Sequence, residues 1–401
     1  MNIAGHQVDE AMFSYIAQNI DADTCKLLLK AEPELSFDKS FAVLQIECRR
    51  KACDKIPELL ANARFLFPKA ISAEQCTHEA VAQFHASLFN ESDSVLDMTM
   101  GLGVDDYYIA RRAKALTAIE LDPLIAAVGE YNFSFLASNV TVKQGDSGEF
   151  LKILGDQRFD AIFIDPARRD GSGKRLYGLA DCCPNVLSLL PLIKQHCSRL
   201  FIKASPMIDV TQSMRDLGDC LAHVWAVSVK NECKELFFMM DFSDGSPDVI
   251  LHALNFAGGS WQEFSTASGL GNSSQCIDSI LPGQYLYEPN SSVMKLGCYS
   301  AVEDAFDVRQ VAQNSHLMVS DKRVDDFPGR RFLVAEVIPF KGREIKQLGK
   351  RFAKMNIATR NFRLSAEQLK KRLGVNDGGD IYMFATTLGS GEQILAICEK
   401  A

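Results

Sequence analysis

Val95-Leu96-Asp97-Met98-Thr99-Met100-Gly101-Leu102-Gly103 is the stretch on which the reading of this 401-residue chain turns. A short β-forming run that breaks into an acidic residue and two closely spaced glycines is how an α/β protein brings a nucleotide-like ligand to a strand's carboxyl end. A dinucleotide fingerprint would need a third glycine at position 106, and Asp106 stands there, which disfavours NAD. A purely structural strand-to-helix turn would use the same residues, so the motif alone leaves both readings open.

Outward from this stretch, β-rich runs alternate with helical ones. Strands are expected at 94–99, 116–120, 140–144, 159–165 and 200–204, with helices between them, for example over 124–136 and from Pro184, a residue favoured in a helix's first turn. That alternation predicts a parallel sheet covered on both faces. The runs 223–229 and 235–242 follow, joined by Lys230 to Lys234. A parallel return needs a dozen or more residues, so this pair must be an antiparallel hairpin. The expected fold class is α/β, with a Rossmann-like sheet of seven strands. It occupies 89–245, after an N-terminal helical region (1–88) whose apolar residues recur at helical spacing. A connecting β-rich segment (246–328) follows, containing a strand at 249–256 and loops or a hairpin over 257–272. The end of the chain (329–401) alternates strand-like and helix-like pieces as an α+β portion.

Composition narrows the function classes. The length exceeds one core, and 47% hydrophobic with 23% charged residues is ordinary for a soluble globular protein. Lys plus Arg number 43 against 51 Asp plus Glu, a net charge of −8 that does not by itself announce a nucleic-acid binder. Met1 to Tyr15 lacks the pattern of an export signal, and no run reaches the roughly 18 apolar residues of a membrane span. A cytoplasmic protein without membrane contact is expected. The 12 cysteines form no Cys-x-x-Cys pair and the 7 histidines do not cluster with them, so the cysteines read as reduced small hydrophobes and no metal is expected.

Three carboxylates and one loop carry the chemistry. Asp97 can orient the amino-acid part of S-adenosylmethionine, with Thr99, Gly101 and Gly103 forming the approach loop. Glu120, about 20 residues beyond the glycines at the second strand's end, can accept both ribose hydroxyls. Asp146 ends the third strand and can accept from an adenine amino group or cap the next helix; both can hold at once. The most specific signal is Phe159 to Asp170, a hydrophobic strand running into Asp165-Pro166-Ala167-Arg168. Proline fixes φ and lacks an N–H, so the loop presents a carboxylate and rigid carbonyls. Amino-methylating enzymes have a second proline and an aromatic in such a loop; here Ala167 and Arg168 replace them, and a guanidinium can stack or clamp a phosphate. Asp165 and Arg168 could also be a plain ion pair. Ser205 stands where a carbon-methylating enzyme would place a thiol, and Cys182-Cys183 reads as packing rather than as a nucleophile. Residues 341–372 hold eleven Lys or Arg (341, 343, 346, 350, 351, 354, 360, 363, 370, 371 and 372) against Glu344 and Glu367, with Phe352 and Phe362 among them. This fits an RNA-binding surface or a solvated helix face.

Glu74-Gln75-Cys76, Asp97 to Asp105, Asp165 to Asp170, Lys203 to Met207, Asn231 to Leu236, Tyr287-Glu288-Pro289-Asn290, Phe327-Pro328-Gly329-Arg330 and Thr359-Arg360-Asn361-Phe362 together resemble a bacterial family of class I S-adenosylmethionine-dependent methyltransferases. Its members carry a ferredoxin-like insert and a C-terminal THUMP-like domain. The resemblance implies that Asp97, Thr99, Gly101, Gly103, Glu120 and Asp146 bind S-adenosyl-L-methionine, with S-adenosyl-L-homocysteine as product and no metal. It implies that Asp165, Pro166 and Arg168 act at the methyl group. It also implies a structured RNA substrate (tRNA or rRNA), methylated on an exocyclic base amine and contacted by Arg169, Lys203, Lys350, Arg351, Arg360 and Arg363. Met100 departs from the glycine expected before Gly101. Two other readings stay open: an RNA-binding protein whose methyltransferase domain is inactive, and a methyltransferase acting on a protein or small molecule.

Overall fold

A strand that is apolar on both faces must be covered on both, and β1 (Ser94–Asp97) meets that demand between two parallel neighbours, with Val95, Leu96 and Asp97 all buried. In the computed structural model, residues 1–30, 35–168, 178–243, 248–269 and 276–401 are described, with the backbone alone at 168, 342–344 and 346–347. The chain forms two units, 1–222 with 236–247 and 223–235 with 248–401.

In the first unit β1 is flanked by β2 (Ala115–Glu120) and, on its other side, by β4 (Phe159–Ile164). β3 (Val140–Gln144) lies beyond β2, and β5 (Cys197–Ala204) lies beyond β4, all parallel. The hairpin strands are β6 (Leu221–Val229) and β7 (Glu232–Asp241), and from Leu236 onward β7 pairs antiparallel with β5. The resulting order in this unit is β3-β2-β1-β4-β5-β7. The direction of winding reverses at β1, so the carboxyl ends of β1 and β4 flank the crevice in which open α/β sheets bind ligands. The connecting helices start on side chains that the sequence supplies: Asp122, Asp146 and Asn185 each accept a backbone N–H from the first turn of the helix that follows.

Six helices between Glu10 and Ser87, and a two-residue ladder of Asn2–Ile3 with His6–Gln7, make up the described part of the N-terminal region. The ladder lies where only helices are expected. Phe65-Leu66-Phe67 runs buried and outside any strand, and side-chain amides complete its backbone. Gln45 donates to the Phe67 carbonyl at 2.9 Å and accepts its N–H at 2.8 Å. Asn132, in the helix Pro123–Leu136, does the same for Leu66 at 2.9 and 3.0 Å. Every polar group of this segment that these amides reach is thereby satisfied without a sheet.

The hairpin link is shorter than the five residues expected. Lys230 and Asn231 both adopt the left-handed region, φ 51° and 63°, and the mirror-image turn they form matches strand twist, so β7 starts at Glu232. The second unit repeats the device: β8 (Ile250–Ala257), parallel to β6, turns at Gly258-Gly259 into antiparallel β9 (Ser260–Ala267), which resolves 257–267 as a hairpin. Its seven-stranded sheet contains β10 (Tyr285–Pro289), β11 (Arg309–Gln310), β12 (Met318–Ser320), β13 (Gly329–Pro339), β14 (Asn356–Arg360), β15 (Ile381–Thr387) and β16 (Gln393–Lys400), in the order β11-β12-β10-β13-β16-β15-β14. Helices Gly342–Arg351 and Ala366–Leu373 cover its C-terminal half. Their approach depends on Gly349, where any added Cβ would collide with the Leu373 carbonyl.

Asn132→Leu keeps the volume but strands the Leu66 N–H and C=O, each costing roughly 1–3 kcal/mol when buried unpaired. Urea unfolding of this variant should show a loss of at least about 2 kcal/mol. A change within experimental error would mean that Asn132 does not hold the N-terminal region.

Candidate donor and acceptor site

At the end of β1 the chain folds back on its own acid. Asp97 Oδ1 accepts the Thr99 N–H at 2.6 Å and the Thr99 hydroxyl at 3.3 Å, and Thr99 Oγ1 in turn accepts the Asp165 N–H at 2.7 Å. Thr99 therefore ties the loop after β1 to the loop after β4. Gly101 N–H donates to Glu120 Oε2 at 3.0 Å, and Glu120 Oε1 accepts from Asp122 N at 2.8 Å, so the carboxylate ending β2 is aimed at the glycine loop by two backbone donors. Each oxygen keeps a further lone pair for a ligand. Gly103 sits at φ 78° with an added Cβ 2.8 Å from the Phe133 ring, so both backbone and space require glycine. Met100 is buried, and its thioether methyl fills the space a side chain at Gly129 would take. Asp146, exposed at the end of β3, caps the next helix by accepting the Glu149 N–H at 2.9 Å.

Two buried carboxyls face each other beneath this loop. Burial pushes Asp97 up to about 7, partly offset by its hydrogen bonds to Thr99 N–H and Asp106. Burial first, then the Asp97 charge, pushes Asp106 well above the usual carboxylate range. Neither Asp106 oxygen meets a donor from the rest of the protein, while its side chain is within hydrogen-bond reach of Asp97. The two observations agree when the pair shares a proton, which makes one carboxyl the missing donor.

Asp105, next in sequence, has the opposite solution. Its Oδ2 accepts from the Thr77 hydroxyl at 2.6 Å and from Lys203 Nζ at 3.4 Å, and its Oδ1 lies 2.8 Å from His85 Nδ1. Burial alone would raise it, but Lys203, His85 and Thr77 outweigh burial and hold it well below the ordinary range. Lys203 also donates to Thr77 Oγ1 at 2.8 Å and to Asp165 Oδ2 at 2.7 Å. Lys203 is thus only 9% exposed and bonded inside the domain. Lys203 lies inside β5, the strand expected over 200–204, with its ammonium bonded to these partners. Sequence reading missed Thr77, His85 and Asp105. Paired acids at a helix start look like a response to the helix dipole, and nothing local in the sequence marks their partners.

Pro166 is buried behind Asp165, and Ala167–Arg168 pairs antiparallel with Cys182–Cys183. The Arg168 side chain and all of Arg169 lie outside the described residues. Among the basic residues near the C-terminus, Lys350 and Arg363 are exposed, the latter over the Phe340 ring at 4.9 Å. Arg351 pairs with Glu336 at 2.7 Å, and Arg360 pairs with the buried Glu288 at 2.7 Å, which also holds Arg330. Among the described residues no group of His, Cys, Asp and Glu is placed to hold a metal, and no helix is long and apolar enough to cross a membrane.

Comparison with known proteins bears on this geometry. The chain aligns over 98% of its length with 99% of the crystal structure of a candidate methyltransferase from Porphyromonas gingivalis W83, at 28% identity and a TM-score of 0.89. The first unit has the class I methyltransferase fold. Residues 285–328 match a ferredoxin-like domain and 329–400 a THUMP-like domain. A shorter stretch is 31% identical over 84 residues to ribosomal RNA small subunit methyltransferase J of Alteromonas mediterranea, covering 19% of this chain and a third (33%) of that relative.

The raised Asp97 sets a pH window in this fold. A carboxyl whose folded value lies above its unfolded one binds more protons when folded, so the contribution of Asp97 to stability is full below about pH 4 and is lost as pH rises to about 7. Asp106→Asn supplies a permanent donor to Asp97 in place of the shared proton. Thermal melts should show the variant gaining a few degrees on the parent at pH 8 and little at pH 5. Equal gains at both would show that the two carboxyls do not share a proton.

Proposed function

We propose that the protein transfers a methyl group from S-adenosyl-L-methionine to an exocyclic amine of a base in a structured RNA, with the C-terminal unit holding the RNA. The observation that carries this reading is the Thr99 bridge, which places the Asp165-Pro166 loop against the loop bearing Asp97. The alignment with the Porphyromonas gingivalis protein supports the activity, and the ribosomal RNA methyltransferase and the THUMP-like match support an RNA substrate.

The residues present fit the donor. Asp97 and Asp106 form a buried acidic pair, and among the described residues no cation is bonded to it, which suits a cationic amino-acid group. Glu120 offers its remaining lone pairs to the ribose hydroxyls, and Gly101 and Gly103 let the backbone approach. Asp146 lies at the next strand end to accept from the adenine amine. When bound, S-adenosyl-L-methionine supplies a sulfonium methyl whose C–S bond breaks with its electron pair going to sulfur, leaving S-adenosyl-L-homocysteine.

On the acceptor side, Asp165 accepts an N–H of the base amine and turns its lone pair toward the methyl carbon. The nitrogen forms the C–N bond and sheds one proton, which Asp165 takes and passes to solvent; its side chain is 41% exposed. Pro166 keeps the loop rigid, so the residues contribute orientation and a placed carboxylate rather than a covalent intermediate. Arg168 is the candidate to stack on or clamp the nucleotide, and Lys350, Arg351, Arg360 and Arg363 would meet RNA phosphates. Arg360 and Arg351 are already anchored by acids, so they would present fixed guanidinium groups rather than mobile charges.

Two measurements test this reading. In calorimetry the parent should bind S-adenosyl-L-methionine, and Glu120→Ala and Gly103→Ala should each bind at least about tenfold more weakly, about 1.4 kcal/mol. Labelled donor incubated with separate cell RNA, protein and metabolite fractions should mark RNA, and nucleoside analysis should find the label on an exocyclic nitrogen. Label in protein or metabolites alone would overturn the substrate, and donor binding without transfer to any fraction would favour an RNA-binding protein with an inactive domain.

A further inference from the structure

Lys203 is a buried ammonium shared between two carboxylates of unequal access. Its side chain is 11% exposed, as is that of Asp105, whereas that of Asp165 is 41% exposed at the carboxyl end of β4. On its inner side Lys203 is fixed by Thr77 Oγ1 and Asp105 Oδ2, and Asp105 is itself fixed by Thr77 and His85. His85 in turn is fully buried and stacked on Phe237, with ring centroids 4.3 Å apart. The ammonium is therefore held from behind and meets Asp165 at 2.7 Å from the protein side.

We propose that Lys203 is a positioning residue for methyl transfer: anchored by Thr77 and Asp105, it keeps Asp165 a carboxylate and fixes its orientation toward the acceptor amine. The proposal rests on the methyl-transfer reading above. The charges around the ammonium explain its role. Asp165 and Asp105 share it, the Asp165 charge helps raise Asp97, and Cys76 also feels Lys203 and Asp105. Loss of the ammonium removes a counter-charge at 2.7 Å from Asp165 while the nearby Asp97 and Asp105 remain, and like charges in a partly buried site favour protonation. A protonated Asp165 has lost the carboxylate that accepts the amine N–H and takes the released proton. Lys203 is already bonded to two carboxylates, so its chemistry here is charge and geometry, not proton removal.

The test is the pH dependence of methyl transfer to RNA, measured with donor KM for the parent, Lys203→Gln, Lys203→Arg and Thr77→Val. Activity needs ionised Asp165, so it rises with pH through that group's titration, and loss of the cation moves this acid limb to higher pH. For Lys203→Gln, kcat at pH 7 should fall about 10²-fold, with donor KM changed less than about threefold and part of the rate recovered by pH 9. Lys203→Arg should keep the limb near the parent's position. If Lys203→Gln does not fold, Thr77→Val decides: the charge stays while its anchor is lost, so kcat should fall at least about threefold with the limb and donor KM unmoved. A Lys203→Gln enzyme with the parent's kcat and acid limb, or a Thr77→Val enzyme with the parent's kcat where the first variant is unfolded, overturns the proposal. A parent protein that binds no donor and transfers no methyl group overturns the methyl-transfer reading instead.

Discussion

The charge on Asp105 is the constraint to which the site end of the first unit is fitted. An ionised carboxylate away from water costs several kcal/mol unless its lone pairs are filled, and removing one partner of such a buried pair typically costs about 3–5 kcal/mol. Here the partners come from three places: Thr77 before one N-terminal helix, His85 within that helix, and Lys203 in β5. Satisfying one acid therefore fixes the N-terminal helices, the helix after the glycine loop and the strand beside the acceptor loop with respect to one another. Because Asp105 lies well below the ordinary range, this tie persists through neutral pH and weakens only in strong acid.

The acids on either side of it in the chain are left in the opposite state. Asp97 and Asp106 are as deeply buried, yet among the described residues no cation is bonded to them, and they are pushed up rather than down. Two environments a few ångströms apart thus drive neighbouring carboxyls in opposite directions. This is the pattern by which one fold keeps one acid as permanent structure and another ready for chemistry or ligand binding. Among the described residues, Lys203 is bonded to Asp105 and Asp165 rather than to the Asp97 pair.

Much of the sheet was legible because its signals are local. The parallel strands follow from apolar runs separated by helices, and the antiparallel ending follows from a link too short to return in parallel; even the error in link length came from turn conformation at Lys230 and Asn231, not from topology. The meeting of Gly101 with Glu120 follows the same local spacing, since both stand at the ends of successive strands. The strand of Lys203 was legible but its partners were not, because they lie 38, 98 and 126 residues away. The basic stretch at 341–372 shows the same limit. Counting charges found it, but Glu288, 72 residues before Arg360, is invisible to any local count. Periodicity reports which face is buried, and it is silent about which acid waits there.

The departure at Met100 shows how far the donor loop depends on its surroundings. A methionine in place of a loop glycine narrows the turn, and the helix Pro123–Leu136 accommodates it by offering Gly129 where a side chain would otherwise sit. The same helix limits Gly103 through Phe133, and through Asn132 it is bonded to the Leu66 backbone of the N-terminal region. The N-terminal residues consequently act on both halves of the site. Through Asn132's helix they support the wall of the glycine loop after β1, and through Thr77 and His85 they set the charge behind the loop after β4. A region that reads from sequence only as helical thus packs, in physical terms, behind both loops.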